Sequence, residues 1–227
     1  MAAFEARKQT FKKTVGTEDG RRRRGETTIK LRKEKKEEGL AKRRNLAAAL
    51  KPTEQTPNVT NSGPAVVYTI ADIPKLVAGV KSSELQQQVD STKGFRRLLS
   101  AENNPPVDEV LAAQVIDIFV LFLSREDSAE LQFEAAWTLT NIASTDKTAV
   151  VVEHGAVPPL VKLLTSQNAD VREQSAWCLG NISGDCTELR DQVLASGALE
   201  PLLLNISQPA NASLLRNCVW TLSNFCR

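Results

Sequence analysis

Glu134-Ala-Ala-Trp-Thr-Leu-Thr-Asn141 recurs twice in altered form, as Gln174-Ser-Ala-Trp-Cys-Leu-Gly-Asn181 and Asn217-Cys-Val-Trp-Thr-Leu-Ser-Asn224. The only three tryptophans of the chain, Trp137, Trp177 and Trp220, stand 40 and 43 residues apart, and each has an asparagine four residues later. A step of four places two side chains on one helical face, one turn apart. Three such pairs at a period near 40 predict three equivalent helices, each presenting an indole and an amide.

Outward from these helices the internal match continues. His154-Gly-Ala-Val-Pro-Pro-Leu-Val recurs as Ser196-Gly-Ala-Leu-Glu-Pro-Leu-Leu, with Gly155 and Gly197 separated by 42 residues. Each unit therefore reads as a short helix, a glycine turn, a middle helix with proline in its first turn, and a long third helix carrying Trp and Asn. The spacing predicts helices over Asp146–Glu153, Ala156–Thr165 and Asp170–Ile182 in one unit, and over Glu188–Leu194, Ala198–Ile206 and Ala212–Cys226 in the next. Val107–Leu123 reads as one helix before Ala129–Ala143. Ala71–Val80 and Ser83–Leu99 read as an incomplete first unit. Matching Leu85 to Leu131 puts Ser91 where Trp137 sits and Phe95 where Asn141 sits, so the first unit lacks the signature, as terminal repeats do.

The net charge of +2 conceals an asymmetry. Residues 1–51 carry 17 Lys/Arg against 7 Asp/Glu, and the remainder 12 against 20. A basic arm of +10 thus precedes an acidic body of −8, and the two attract each other. Gly16 and Gly20 oppose a continuous helix near the start. Residues 26–48 form a plausible but marginal helix, about 35 Å long if complete, which orders on a partner. Residues 52–65, rich in Pro, Thr, Asn and Ser, read as a linker to the helical body at 66–227.

No apolar run is long enough to span a bilayer, and no secretion signal opens the chain, so the cytosol or nucleus is the expected setting. The Asn-x-Ser/Thr sites at Asn58, Asn181, Asn205 and Asn211 then stay unmodified. The four cysteines, Cys178, Cys186, Cys218 and Cys226, lie in helical patterns without a CxxC, and the lone His154 has no ligating neighbour in sequence. Reduced thiols and no zinc site are expected. No phosphate-binding glycine loop, metal cluster or nucleophile–histidine pair is present, so no enzyme and no cofactor is expected.

A three-helix repeat of about 42 residues resembles the armadillo repeat. The stretches Trp137 to Ser144, Trp177 to Asp185 and Trp220 to Arg227 resemble the second, third and fourth such repeats of the importin alpha family. The arm, Arg21-Arg-Arg-Arg-Gly-Glu-Thr-Thr-Ile-Lys-Leu-Arg-Lys-Glu-Lys-Lys-Glu-Glu-Gly-Leu-Ala-Lys-Arg-Arg-Asn45, is similar to that family's importin-beta-binding segment. The resemblance implies an all-α, right-handed armadillo superhelix of about four repeats behind a basic, partly disordered or helical arm. It implies an adaptor for nuclear import that shuttles between cytoplasm and nucleus. The groove would bind Lys/Arg-rich localisation signals through Trp137, Asn141, Trp177, Asn181, Trp220 and Asn224, with Asp185 taking the dominant lysine and Ser144, Thr148 and Gln174 adding polar contacts. Arg21, Arg22, Arg23, Arg24, Lys30, Leu31, Arg32, Lys33, Lys35 and Lys36 would engage importin beta. Lys42-Arg43-Arg44 would occupy the groove as an autoinhibitory mimic of a signal. Nucleoporins enter as further contacts; a membrane and a specific nucleic acid do not. The secondary cargo site and the surface for the recycling exportin fall in repeats beyond Arg227.

The chain departs from that pattern in places. Gln114 and Asp117 replace the usual Gly and Pro. The loop after Ser144 is two residues shorter, and about four residues are missing near Ser207–Asn211. Other readings stay open. Trp at helical spacing is usually core, Asp185 after Gly184 also fits a helix N-cap, and the arm also suits nucleic-acid phosphates. An armadillo scaffold would tolerate loss of Asn181.

Overall fold

The computed structural model describes residues 67–101 and 104–227, which belong to one compact unit beginning at Val59. The arm at 1–51 and the linker at 52–65 lie outside the described residues. So do Arg21, Arg22, Arg23, Arg24, Lys30, Leu31, Arg32, Lys33, Lys35, Lys36, Lys42, Arg43 and Arg44.

The described residues are helical throughout, with no strand among them. After a 3-10 turn at Ile70–Asp72, α1 spans Ile73–Val80 and α2 spans Leu85–Leu99. Next come α3 (Val107–Ala112), α4 (Ile116–Phe122) and α5 (Ala129–Ala143). A second triplet is α6 (Thr148–Glu153), α7 (Val157–Leu163) and α8 (Ala169–Ser183). The third is α9 (Thr187–Ala195), α10 (Leu199–Ser207) and α11 (Ala212–Phe225). Each long third helix of these triplets starts on a side-chain cap. Ser128 Oγ accepts from the Leu131 N–H, Asn168 Oδ1 from Asp170 and Val171, and Asn211 Oδ1 from Leu214. Such caps satisfy amide groups the helix itself cannot, for about 1 kcal/mol each.

Val107–Leu123 is not one helix. It breaks at Gln114, whose φ is +53°, beside +77° at Gly155 and +80° at Gly197. The Gln114 N–H donates to Leu111 O at 3.0 Å, as Gly155 does to Val152 O at 2.9 Å and Gly197 to Leu194 O at 3.0 Å. All three triplets thus make the same left-handed turn. Gln is a good helix former, so the break is marked in the sequence only by the resemblance, which puts Gln114 where the family carries Gly. The demand comes from packing: Val115, Ala156 and Ala198, each just past the turn, are completely buried. A Cβ built at Gly155 or Gly197 meets nothing within 4 Å, so the turn has room for a side chain, and Gln114 bears only the left-handed backbone cost. Gln114→Gly removes that cost, about 1–2 kcal/mol, less the extra entropy glycine loses on folding. We expect a net gain of about 0.5–1 kcal/mol, read as a higher urea midpoint at unchanged slope.

One core runs through the stack from Ile73 to Phe225. α5 and α8 are buried on most sides because each is covered by the unit before and the unit after; Leu131, Ala135, Ala136, Leu139 and Ile142 are sealed completely. At the far end Val219 is 48% exposed, although its counterparts Ala136 and Ala176 are fully buried. Phe95 of α2 and Phe119 of α4 fill the first junction edge to face, 5.3 Å between ring centres.

The hydrogen bonds also correct the register of the first unit. Gln88 Nε2 donates to Ser82 O at 2.7 Å as Gln132 Nε2 does to Leu123 O at 3.1 Å. Thr138 Oγ1 reaches Thr92 O at 3.4 Å as Thr221 Oγ1 reaches Ala176 O at 2.8 Å. Thr92 is therefore the counterpart of Ala136 and Ala176. Lys93 then stands at the Trp137 position and Arg97 at the Asn141 position, rather than Ser91 and Phe95. Ser91 instead faces α1, where a Cβ at Gly79 would fall 1.8 Å from its Oγ. Leu85, matched to Leu131 by sequence, is 37% exposed, whereas Leu131 is fully buried.

His154 Nδ1 lies 2.5 Å from Asp117 Oδ1, tying the α6–α7 turn to α4. All four cysteines are free. Burial pushes the Cys178 thiol up to about 12 and that of Cys218 to about 11, which removes their nucleophilic thiolates at neutral pH. No helix among the described residues is long and apolar enough to cross a membrane.

Candidate peptide-binding groove

The third helices α5, α8 and α11 lie side by side, and each carries its Trp and Asn on the same face. Trp137, Trp177 and Trp220 are half-buried, while Asn141, Asn181 and Asn224 are buried beside them. Each asparagine spends amide hydrogens on the preceding third helix. Asn181 Nδ2 donates to Thr140 O at 3.2 Å and Asn224 Nδ2 to Gly180 O at 2.8 Å. Asn141 Nδ2 donates to Arg96 O at 3.1 Å and to Ser100 Oγ at 3.0 Å. The amides thus form a spine that sets the spacing of the ladder, and they retain their oxygens as acceptors. Asn181 Oδ1 and Trp177 Nε1 are buried without a hydrogen-bond partner among the described residues. Buried polar atoms are nearly always paired, so two orphans one turn apart mark the centre of the row as unfinished.

Small residues make room for the rings. A Cβ at Gly180 would fall 2.2 Å from Trp220 Cζ3, so that indole lies directly on the α8 backbone. Gly184 gives the same clearance to Asn224 Nδ2, which would lie 2.8 Å from an added Cβ. Gln174 is buried and donates through Nε2 to Thr140 Oγ1 at 2.8 Å. Ser144, at the end of α5, donates to Asn141 O at 2.7 Å. Thr148 is fully buried, its hydroxyl 3.0 Å from both Ala143 O and Thr145 O, so it closes the α5–α6 turn. Asp185 is exposed in the turn after α8, and the cap position of α9 is Cys186, one residue beyond it.

Four residues of the groove were given no role from the sequence: Arg96, Phe133, Glu134 and Glu173. Arg96 of α2 holds its guanidinium carbon 4.3 Å from the centre of the Trp137 ring. Its Nε meets Glu134 Oε2 at 2.5 Å, and Phe133 supports the same ring edge to face at 5.5 Å. Glu173, one turn before Trp177, accepts from Ser213 Oγ at 2.5 Å and Asn217 Nδ2 at 3.2 Å. Burial raises its carboxyl above the ordinary range, against the Ser213 hydrogen bond. Among the described residues, the Arg96 guanidinium over Trp137 is a cation seated on an indole face.

Triplets of helices about 41–42 residues apart, with a repeated aromatic and amide row on the third helix, define an armadillo-repeat protein. The Armadillo/beta-catenin-like repeat model matches residues 103–144, 144–184 and 186–227, and the Importin beta binding domain model matches residues 7–93. The chain belongs to the importin alpha family and corresponds to the N-terminal portion of its members. It is 48% identical to importin subunit alpha-2 of Arabidopsis thaliana, covering all of this chain and 43% of that protein. Importin subunit alpha-1b of Oryza sativa subsp. japonica is 47% identical, with 98% of this chain and 42% of that protein covered. The chain thus spans less than half the length of these relatives. Among solved structures, a designed armadillo repeat protein in complex with the peptide (KR)4 is 25% identical with a TM-score of 0.62, covering 70% of each chain. A computationally designed armadillo protein for modular peptide recognition, 22% identical, matches in fold with a TM-score of 0.63 over 68% of this chain and 64% of that one.

Proposed function

We propose that this chain is a nuclear import adaptor. The groove of α5, α8 and α11 binds Lys/Arg-rich localisation signals of cargo, and the arm at 1–51 docks on importin beta. The observation that carries the reading is the row of three half-buried indoles, each with a buried amide one turn on, in a chain that also matches an importin beta binding domain. An extended peptide sends alternate side chains to opposite sides, so every second Lys or Arg stem enters a slot between indoles. The asparagine oxygens accept from the peptide backbone, and Asp185 offers a carboxylate at the end of α8. The (KR)4 peptide held by the designed armadillo relative has the chemistry this requires.

The arm, by the same chemistry, competes for the groove through Lys42, Arg43 and Arg44. Tethered by residues 52–65, it acts at an effective concentration in the millimolar range, on the order of that for short flexible linkers. Importin beta, taking Arg21–Arg24 and Lys30–Lys36, withdraws the arm and raises cargo affinity, and cargo must raise importin beta affinity equally. Such an adaptor works in both cytoplasm and nucleus.

The test is fluorescence anisotropy of a short lysine-rich peptide at physiological salt, on the full chain and on one starting at Gly63. The shortened chain is expected to bind about tenfold tighter, the ratio of a millimolar local concentration to an arm affinity of about 0.1 mM. If neither chain binds although circular dichroism shows both folded, four units do not make a working groove. The chain would then act on importin beta alone, sequestering it.

A further inference from the structure

The ladder changes chemistry where it reaches α2. Lys93 and Arg97 hold there the positions that Trp and Asn hold on α5, α8 and α11, as the Thr138–Thr92 and Asn141–Arg96 hydrogen bonds fix. Between them Arg96 turns toward α5 and lies over Trp137, its guanidinium carbon 4.3 Å from the ring centre and its Nε 2.5 Å from Glu134 Oε2. One face of the first indole is therefore already taken by a cation of the protein itself. Beyond it stand two more positive charges one turn apart, Lys93 half-buried and Arg97 exposed. Neither is paired with a carboxylate among the described residues. The nearest acid on the same helix, Asp90, accepts from Gln86 Nε2 at 3.1 Å.

A peptide lying along the indoles with its basic residues in the slots must run over this end. A further Lys or Arg would meet a filled ring face and two like charges. A carboxylate would meet two donors at helical spacing. We propose that Lys93 and Arg97 form a subsite for an acidic side chain, aspartate or glutamate, on the peptide held by the groove, so that the preferred ligand is a basic cluster with an acidic flank at its α2 end. This rests on the groove reading above and adds a specificity that the Trp–Asn ladder alone does not supply.

The experiment uses the full chain and labelled lysine-rich peptides with three flanking residues at either end: serines, glutamates or phosphoserines. Two partly exposed ion pairs strengthen binding by about three- to tenfold. Glutamates are expected to give that gain at one end of the peptide only, and the gain should shrink with added salt. Lys93→Ser with Arg97→Ser should bring the glutamate-to-serine ratio back to one, with the serine-flanked peptide binding as tightly as before or more tightly, since two like charges are gone. Arg97→Ser alone, at an exposed position that the fold tolerates, should remove part of the gain. If the serine-flanked peptide binds and glutamates at neither end help, or if their gain survives the double substitution, the subsite is refuted while the groove stands. If phosphoserines help and glutamates do not, the carboxylate assignment falls to a phosphate. If the serine-flanked peptide does not bind at all, the groove reading fails and the subsite fails with it.

Discussion

Trp177→Ala weakens binding of a lysine-rich peptide by about 30- to 150-fold, the equivalent of about 2–3 kcal/mol. Trp177 is the central ring of three, so it borders two slots, one shared with Trp137 and one with Trp220. A desolvated cation–indole contact contributes about 0.5–2 kcal/mol, and this substitution removes two at once. Trp137 is already half committed to Arg96, and Trp220 borders only one slot among the described residues, so neither matches this effect. Trp177→Phe keeps a ring in both slots and should retain most of the affinity. The folding cost of the alanine is moderated because Trp177 is half-buried and its Nε1 is an orphan donor, whose desolvation is relieved on removal. Anisotropy titration of both variants, with circular dichroism as the control for folding, reads the result. An alanine variant that stays folded and binds within threefold of the parent would place the peptide elsewhere.

The ladder was legible because its chemistry is written three times. Indole and amide are rare enough that a repeat of Trp and Asn at a fixed step of four has one economical explanation, a shared face on equivalent helices. The turns at Gly155 and Gly197 were legible for a related reason, since their positive φ favours the one residue without a Cβ. The same turn at Gln114 was not legible from its own residue type, only from the family position it fills, because the stack imposes the left-handed residue through the burial of Val115 whatever the side chain. The first unit hid its register for a different reason. It is set by bonds to backbone carbonyls, at Thr92 and Arg96, and a carbonyl leaves no trace in residue identity. Leu85 and Leu131 offered a plausible but false match. Thr148 shows the limit of reading roles by position, for its buried hydroxyl serves the α5–α6 turn. Arg96 and Glu134 are 38 residues apart with nothing in either neighbourhood to pair them.

Glu134→Ala is the substitution expected to cost most in stability, about 3 kcal/mol. The Glu134 side chain is 6% exposed and that of Arg96 14%, and their contact at 2.5 Å joins α2 to α5. Two charges taken this far from water were desolvated on folding, and their attraction offsets that cost only while both are present. Removing the carboxylate leaves the guanidinium with little water and no counter-charge. The figure sits at the low end of the usual 3–5 kcal/mol because the Trp137 face still holds Arg96 and the residual exposure lets some water in. Glu134→Gln keeps an acceptor for Nε and should cost about half as much. The double substitution Glu134→Leu with Arg96→Met removes both charges at similar volume and should recover most of the loss, a coupling that a double-mutant cycle in urea unfolding measures directly. Peptide binding separates the two roles of the pair. In the double variant the stack is restored but no protein cation stands over Trp137, so a ligand cation there meets no like charge and a longer basic peptide should bind more tightly than it does to the parent. A Glu134→Ala cost below 1 kcal/mol would mean that water reaches the pair, and the α2–α5 junction would then rest on its apolar core and on the Thr138–Thr92 and Asn141–Arg96 hydrogen bonds.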